Sequence, residues 1–349
     1  MVPLKSDRLT FLVGLNTGFV TNGMPDHRYV EFYRSRSSPE LHCAIVGNVV
    51  IPGGTGSNSS TTTISRGQEW TKVTQAISNR GSLPGIQLTT AWHGYVGAKS
   101  FRPGATRETI EQMREVVRKL GRTGIRSIFK ALDEGSQFAA EAGFRHLQVH
   151  AAHGYLFSLL VDYRLNEYSS ETLEGLTAWA MKRKAASIET SIRISLRTGD
   201  PTFDEEGRNR FHEQVVTLPF DFIDVSSGFY NIDKRLIYPG RSDVLRARRA
   251  ETVSLAAQYP DRRFIVSGRA LLKQEPELPP NVHIGLCRDL IANPDYLTNG
   301  SEGCRNSGKC HYFSRGKTHI TCPQWVRQKD MWPQKPVLSS SKYPDNPTK

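Results

Sequence analysis

Two histidines and a tyrosine stand within six residues in the run His150-Ala-Ala-His153-Gly-Tyr155, at the end of a short apolar segment. Imidazole and phenol groups donate hydrogen bonds and exchange protons, which makes this run a candidate reaction centre. Two imidazoles three residues apart could also hold a metal. Helical zinc motifs use a different spacing and add a glutamate, whereas this pair meets Gly154 at what reads as a strand-to-loop bend. A second reactive group lies nearer the C-terminus, where Cys304, Cys310 and Cys322 follow one another with His311 alongside. Zinc sites mix Cys and His in this manner, but three free thiols is the reading preferred. Cys43 and Cys287 fall in apolar, strand-like runs, where a buried free thiol is expected. His93, His146 and Trp92 are read as packing or surface residues.

Groups scattered over so much sequence need a scaffold that gathers them. Apolar runs rich in β-branched residues recur at 8–14, 43–49, 85–91, 146–150, 191–196, 220–226, 263–268 and 282–287. Between them lie polar stretches of helical character, clearest at 109–120, 128–141, 174–190 and 243–259. Near-continuous apolar strands alternating with helices indicate a parallel sheet covered on both faces. Eight such units predict a single closed (β/α)8 barrel, a TIM barrel of the α/β class. In that architecture chemistry gathers at the C-terminal strand ends, with phosphate binding in the loops after strands seven and eight. The polar residues at those ends are Asn16, Thr17, Asn48, Gln87, His150, His153, Arg193, Ser226, Ser267 and Arg288. From residue type alone, Gln87 and Arg193 also suit a polar plug inside the barrel.

Composition narrows the function classes. The chain has 349 residues, 38% of them hydrophobic and 23% charged, enough to bury a large core. Its net charge of +12 would suit nucleic acid, but the lysines and arginines are spread out and no nucleic-acid motif is present. A basic pocket that attracts phosphorylated cofactors is the better expectation. No apolar run approaches the roughly 20 residues of a membrane helix, and the stretch from Phe11 to Leu15 is short for a secretory signal. A cytoplasmic protein acting on a small molecule is expected, with no nucleic-acid or membrane partner. Residues 326–349 are rich in Pro and Ser and read as a flexible tail.

The run from Ala142 to Leu156 resembles the fourth strand and loop of the Old Yellow Enzyme family of FMN-dependent ene-reductases. Further segments resemble its other strands in order: Arg8-Leu-Thr-Phe, Gly85-Ile-Gln-Leu, Ser191-Ile-Arg-Ile-Ser, Phe222-Ile-Asp-Val-Ser, Ile265-Val-Ser-Gly-Arg-Ala and Gly285-Leu-Cys-Arg-Asp. The resemblance implies that His150 and His153 donate to a substrate carbonyl oxygen, as an oxyanion hole does, and that Tyr155 protonates the neighbouring carbon. It implies that Gln87 and Arg193 hold the flavin pyrimidine edge, with Asn16 and Asn48 beneath or beside the ring. Ser267, Gly268, Cys287 and Arg288 would take the FMN phosphate.

Departures from the family pattern are specific. Asn16 stands where many members carry threonine, Ser267-Gly268 replaces a Gly-Gly pair, and Cys287 replaces a glycine. A non-glycine amide still binds phosphate if its φ is negative. The loop from Ser158 to Tyr168 has its own sequence, so substrate preference does not carry over. Larger relatives hold a [4Fe-4S] cluster on four cysteines after the barrel. Here eleven residues still separate Cys310 from Cys322, but Ser307 stands near the second ligand position. Because such a cluster takes four thiolates, none is expected. The expected organisation is a barrel over 1–300, a cysteine-bearing segment over 301–325 and the tail. Electrons would come from dissociable NADH or NADPH, and the expected activity is alkene reduction through FMN. The competing expectation is a flavin-depleted barrel acting as an isomerase-type enzyme or a binding protein.

Overall fold

The computed structural model describes residues 8–95, 106–268, 278–298 and 302–327. Eight strands form a closed barrel: β1 (Thr10–Leu12), β2 (Cys43–Val50), β3 (Leu83–Thr89), β4 (His146–Ala151), β5 (Glu189–Ser195), β6 (Phe222–Ser226), β7 (Phe264–Val266) and β8 (Val282–Leu286). Every neighbouring pair in the barrel is parallel, and β1 pairs with both β2 and β8 to close it. Each strand begins within two residues of its expected start. The (β/α)8 architecture therefore stands. Arg269 and Ala270, and all of the tail beyond Arg327, lie outside the described residues.

The helices differ from expectation in one place. The stretches at 109–120 and 128–141 are two helices, as expected, which meet within Thr106–Glu141 at Gly121, where φ is +58° and the backbone is not helical. The helix expected over 174–190 instead spans Ser169–Ala185, and Glu189 and Thr190 open β5. The cause is local. Ser187 takes a left-handed φ of +56°, which no helix continues through, and Glu189 then pairs with His146 of β4.

Alternation along the strands divides the barrel in two. In β4, Leu147 and Val149 join the core between sheet and helices, so His146, Gln148 and His150 face the interior. Opposite them Phe11, Val13, Cys43, Ile45, Phe222 and Ile265 form a separate apolar cluster. The interior is thus apolar around β1, β2, β7 and the start of β6, and polar across β3 to β5 and at Asp224 of β6.

The polar side is a continuous hydrogen-bonded chain. At its base His42 Nε2 and His146 Nδ1 lie 3.0 and 2.6 Å from Glu189 Oε1. An ionised carboxylate only accepts, so both of these nitrogens carry protons. His146 Nε2 meets the Ser191 hydroxyl at 2.7 Å, and Gln148 Nε2 donates to the same hydroxyl at 2.9 Å. Gln148 also donates to Asp224 Oδ2 (3.1 Å) and accepts from Gln87 Nε2 (2.5 Å). Burial works to raise the Glu189 pKa, but the hydrogen bonds from His146 and His42 outweigh it and hold the carboxyl well below its usual range.

Glu189→Ala should therefore destabilise the barrel by about 2 kcal/mol, because it strips the acceptor from a buried imidazole. Urea denaturation measures this. A change under about 0.5 kcal/mol, as at an ordinary surface site, would show that the base chain does not hold the strands.

Candidate functional site

The upper ends of the strands enclose one cavity lined by Asn16, Asn48, Gln87, His150, His153, Tyr155, Arg193, Ser267, Gly268, Cys287 and Arg288. Every residue proposed from sequence for catalysis or cofactor contact is in that lining. The weak metal candidates separate: Cys310 lines the cavity, whereas Cys304 and Cys322 do not. Among the described residues no group of three or more His, Cys, Asp or Glu side chains is arranged to hold a metal ion.

The loop after β4 is held in an unusual conformation. His153 has φ +65° and Gly154 +81°. A non-glycine residue in the left-handed region costs on the order of 1 kcal/mol and marks a place the surroundings over-determine. The bracing is visible: Ser195 Oγ accepts from the His153 amide (3.0 Å), and Trp92 Nε1 donates to the Gly154 carbonyl (3.0 Å). Trp92 thus has a structural role that its sequence context did not reveal.

The two imidazoles are not equivalent. His153 Nε2 lies 2.6 Å from the Ser226 hydroxyl, which leaves Nδ1 for a ligand. His150 Nδ1 is buried and has no hydrogen-bond partner. Burial, reinforced by the Arg193 cation, pushes the His150 pKa well below the ordinary imidazole value. Burial does the same at His153, with His150, Arg193 and Arg248 adding to it. Both rings are neutral at neutral pH, and each then carries one N–H donor.

Tyr155 completes the group. Asn48 Nδ2 donates to its hydroxyl at 2.7 Å, so the phenol keeps its own proton free to give. Burial raises its pKa, although the neighbouring polar groups of Ser57, Asn48 and Tyr95 work the other way. Its ring lies 4.8 Å from that of His150 and 5.0 Å from that of Tyr95. Asn48, expected beside a flavin, therefore acts on Tyr155 directly. Asn16 is also engaged: its Oδ1 accepts from the Gly18 amide and its Nδ2 donates to Thr61.

Positive charge gathers below the imidazoles. Arg193 donates to Asp224 at 2.9 Å, while its Nε is buried without a partner. Gln87 and Arg193 are accordingly both members of the interior polar chain and cavity-lining groups. At the β7 and β8 ends Gly268 takes φ +91°, whereas Cys287 takes φ −142°. Burial drives the Cys287 thiol up to about 12, which leaves it unreactive. Arg288 donates to the Pro239 carbonyl (2.7 Å) and to Asn306 (3.1 Å).

Three parts of the lining were missed from sequence. Arg248 enters from the helix Ser242–Gln258. A tyrosine group, Tyr95, Tyr230 and Tyr238, walls one side, with the Tyr230 and Tyr238 hydroxyls paired. Cys310 to Ser314 fold back over the cavity from beyond the barrel. That segment is tied down by Lys234 to Ser314 (2.7 Å), by the Ile320 amide to the Thr17 carbonyl (2.9 Å) and by Trp325 to the Ile291 carbonyl (2.7 Å). Arg248 falls on the buried face of its helix with Leu245, Thr252, Leu255 and Ala256, at helical spacing.

Residues 13–173 match the family described as NADH:flavin oxidoreductase / NADH oxidase. The chain is 23% identical over 192 residues to 12-oxophytodienoate reductase 1 of Oryza sativa subsp. japonica, covering 50% of this chain and 46% of that one. It is 25% identical over 182 residues to an NADPH dehydrogenase of Clostridium acetobutylicum, covering 48% of this chain and 53% of that one. These matches span about half the length of each relative. Among solved structures, a 2-naphthoyl-CoA reductase in complex with 2-naphthoyl-CoA superposes with a TM-score of 0.69 at 14% identity, covering 93% of this chain and 55% of that one. That similarity concerns the fold. No described helix is long and apolar enough to cross a membrane.

The neutral imidazoles give stability a definite pH dependence. Folding lowers the pKa values of His150 and His153, so below about pH 6.5 the unfolded chain binds protons that the folded chain refuses. Stability should fall as pH drops from about 7 to 5. His150→Asn should make the fall shallower by up to about 1.4 kcal/mol per pH unit. Urea midpoints across the series measure it, and an unchanged slope would show that His150 titrates normally.

Proposed function

We propose that the chain is a member of the NADH:flavin oxidoreductase / NADH oxidase family, whose pattern residues 13–173 match, and that it is an FMN-dependent NAD(P)H oxidoreductase acting on activated alkenes such as α,β-unsaturated carbonyl compounds. One observation carries the reading: two neutral imidazoles and a protonated phenol share a buried cavity with guanidinium donors that lack a full set of partners.

The residues present fit a flat, acceptor-rich anion. Gln87 and Arg193 would hold the pyrimidine edge, where the Arg193 cation favours a reduced anionic ring. Asn16 would lie beside the ring. Ser267, Gly268, Cys287 and Arg288 would receive the phosphate at the ends of β7 and β8, where this fold binds phosphate. When bound, the flavin supplies a two-electron hydride carrier between the nicotinamide donor and the alkene. His150, and His153 through its remaining ring nitrogen, would donate to the carbonyl oxygen and stabilise charge developing there. Tyr155 would give its proton to the α-carbon, with Asn48 holding the hydroxyl in place. Residues 1–300 would form the barrel that performs this chemistry, and 301–325 would close its mouth.

The visible spectrum tests the cofactor. We expect a flavin band near ~450 nm that bleaches with NADPH or NADH. A colourless protein that takes up no added FMN would overturn the reading. For Tyr155→Phe we expect flavin reduction by the nicotinamide to keep its rate, while reoxidation by the alkene slows by about 100-fold or more. Stopped-flow absorbance separates the two half-reactions, and equal slowing of both would remove Tyr155 as the proton donor.

A further inference from the structure

A buried guanidinium that the proposed chemistry does not use stands where β6 and β7 end. Arg248 projects inward from the helix Ser242–Gln258 and is 5% exposed. Its Nη2 donates to the Val225 carbonyl (3.1 Å), the Ser226 hydroxyl (3.0 Å) and the Ser267 hydroxyl (2.8 Å). All three acceptors are neutral. Arg193 has Asp224 at 2.9 Å, but no described carboxylate makes an ion pair with Arg248. Its Nε is buried without a hydrogen-bond partner. Gly268 places bare backbone beside it: a Cβ at that position would lie 3.5 Å from Nη1.

A buried cation without a counter-charge is costly. Here burial lowers the Arg248 pKa to about 9, with Arg193 and Arg288 pushing the same way and Asp224 opposing them. The group stays charged at neutral pH and still faces a cavity shared with Ser267, Gly268 and Arg288. Phosphate sites of this fold lie in the loops after the seventh and eighth strands. A guanidinium offers two parallel donors to such an oxyanion.

We propose that Arg248 is a phosphate-binding residue, neutralising a phosphomonoester dianion held at the ends of β7 and β8 together with Arg288 and the backbone at Gly268. The inference rests on the flavin reading for the identity of the phosphomonoester, that of FMN. Its chemistry can nonetheless be tested apart from the ring. In this arrangement Ser226 and Ser267 orient the guanidinium through Nη2, and the Nη1 amino group beside Gly268 is what meets the dianion.

The test compares FMN with riboflavin, which lacks the phosphate, by quenching of flavin fluorescence on the full chain freed of bound flavin. We expect the unmodified protein to prefer FMN. Arg248→Met should lose roughly 100-fold in FMN affinity while its riboflavin affinity is unchanged, which also reports that the variant is folded. Arg248→Lys should fall between the two, since it keeps the charge without the fork. Equal loss of both ligands would make Arg248 a brace for the β6 and β7 ends and overturn the proposal, as would undiminished FMN affinity. If neither flavin binds the unmodified protein, calorimetry with inorganic phosphate decides. Heat that disappears in Arg248→Met would support the anion site while the flavin reading fails, and heat independent of Arg248 would overturn the site as well.

Discussion

The contact between Arg193 and Asp224 imposes its conditions on half of the barrel. Both side chains are taken almost wholly out of water, and they meet at 2.9 Å. Desolvating two charges is repaid only when geometry is good and the remaining donors and acceptors are also satisfied. The structure meets that requirement in part, through neighbouring strands, while Arg193 Nε and Asp224 Oδ1 stay buried without a partner. Asp224 accepts a second hydrogen bond from Gln148, which in turn joins Ser191 and Gln87. The registers that make this possible are Gln87 to Gln148, Gln148 to Ser191 and Arg193 to Asp224, each at one height in the barrel. A slip of one residue in any of these strands would turn its polar set outward into the apolar core. The charged pair therefore specifies register as well as position, and β4 arrives with His150 at the cavity floor as a consequence.

That same concentration of cations sets the protonation states above it. Burial alone would disfavour imidazolium, and Arg193 strengthens the effect at both histidines. The phenol of Tyr155 is held in its protonated form by burial. A cavity that keeps its imidazoles uncharged and its phenol protonated presents hydrogen-bond donors rather than titrating bases. The post-barrel segment completes this environment. Cys310 to Ser314 and Ile320 wall the cavity on the side a bare barrel would leave to solvent. Excluding water there lowers the local dielectric and strengthens every charge interaction beneath.

Much of this was legible in the sequence, and the limits have physical causes. Strand periodicity placed all eight barrel strands, because apolar residues facing the helices recur whatever the interior holds. Strand-end position then gathered Asn16, Gln87, His150, Arg193 and Arg288 into one region before any contact was known. What periodicity does not contain is partnership. The strand-end position of Asn48 gives no sign that its amide donates to Tyr155, a pairing of residues 107 positions apart. Arg248 was hidden among the arginines of a helix, because a charged residue on a buried helix face reads as noise until that face is seen to meet a cavity. The helix boundary near Ser187 was misplaced because a single left-handed residue has no signature in composition. The covering of the site by residues beyond the barrel depends on long-range packing alone.

The departures from the family pattern at the phosphate end can be ranked by backbone conformation. Gly268, which is retained, takes φ +91°, a region in which any side chain would be strained. Cys287 takes φ −142° with ψ −75°, a negative φ that nonetheless lies outside the main helical and extended regions. Ser267 is not among the described residues with positive φ, and its hydroxyl accepts from Arg248. The two substitutions thus fall at residues without a positive φ, and the glycine survives where φ is positive. Beside Gly268 the Arg248 guanidinium, bound to the Ser267 hydroxyl, brings positive charge to the ends of β6 and β7.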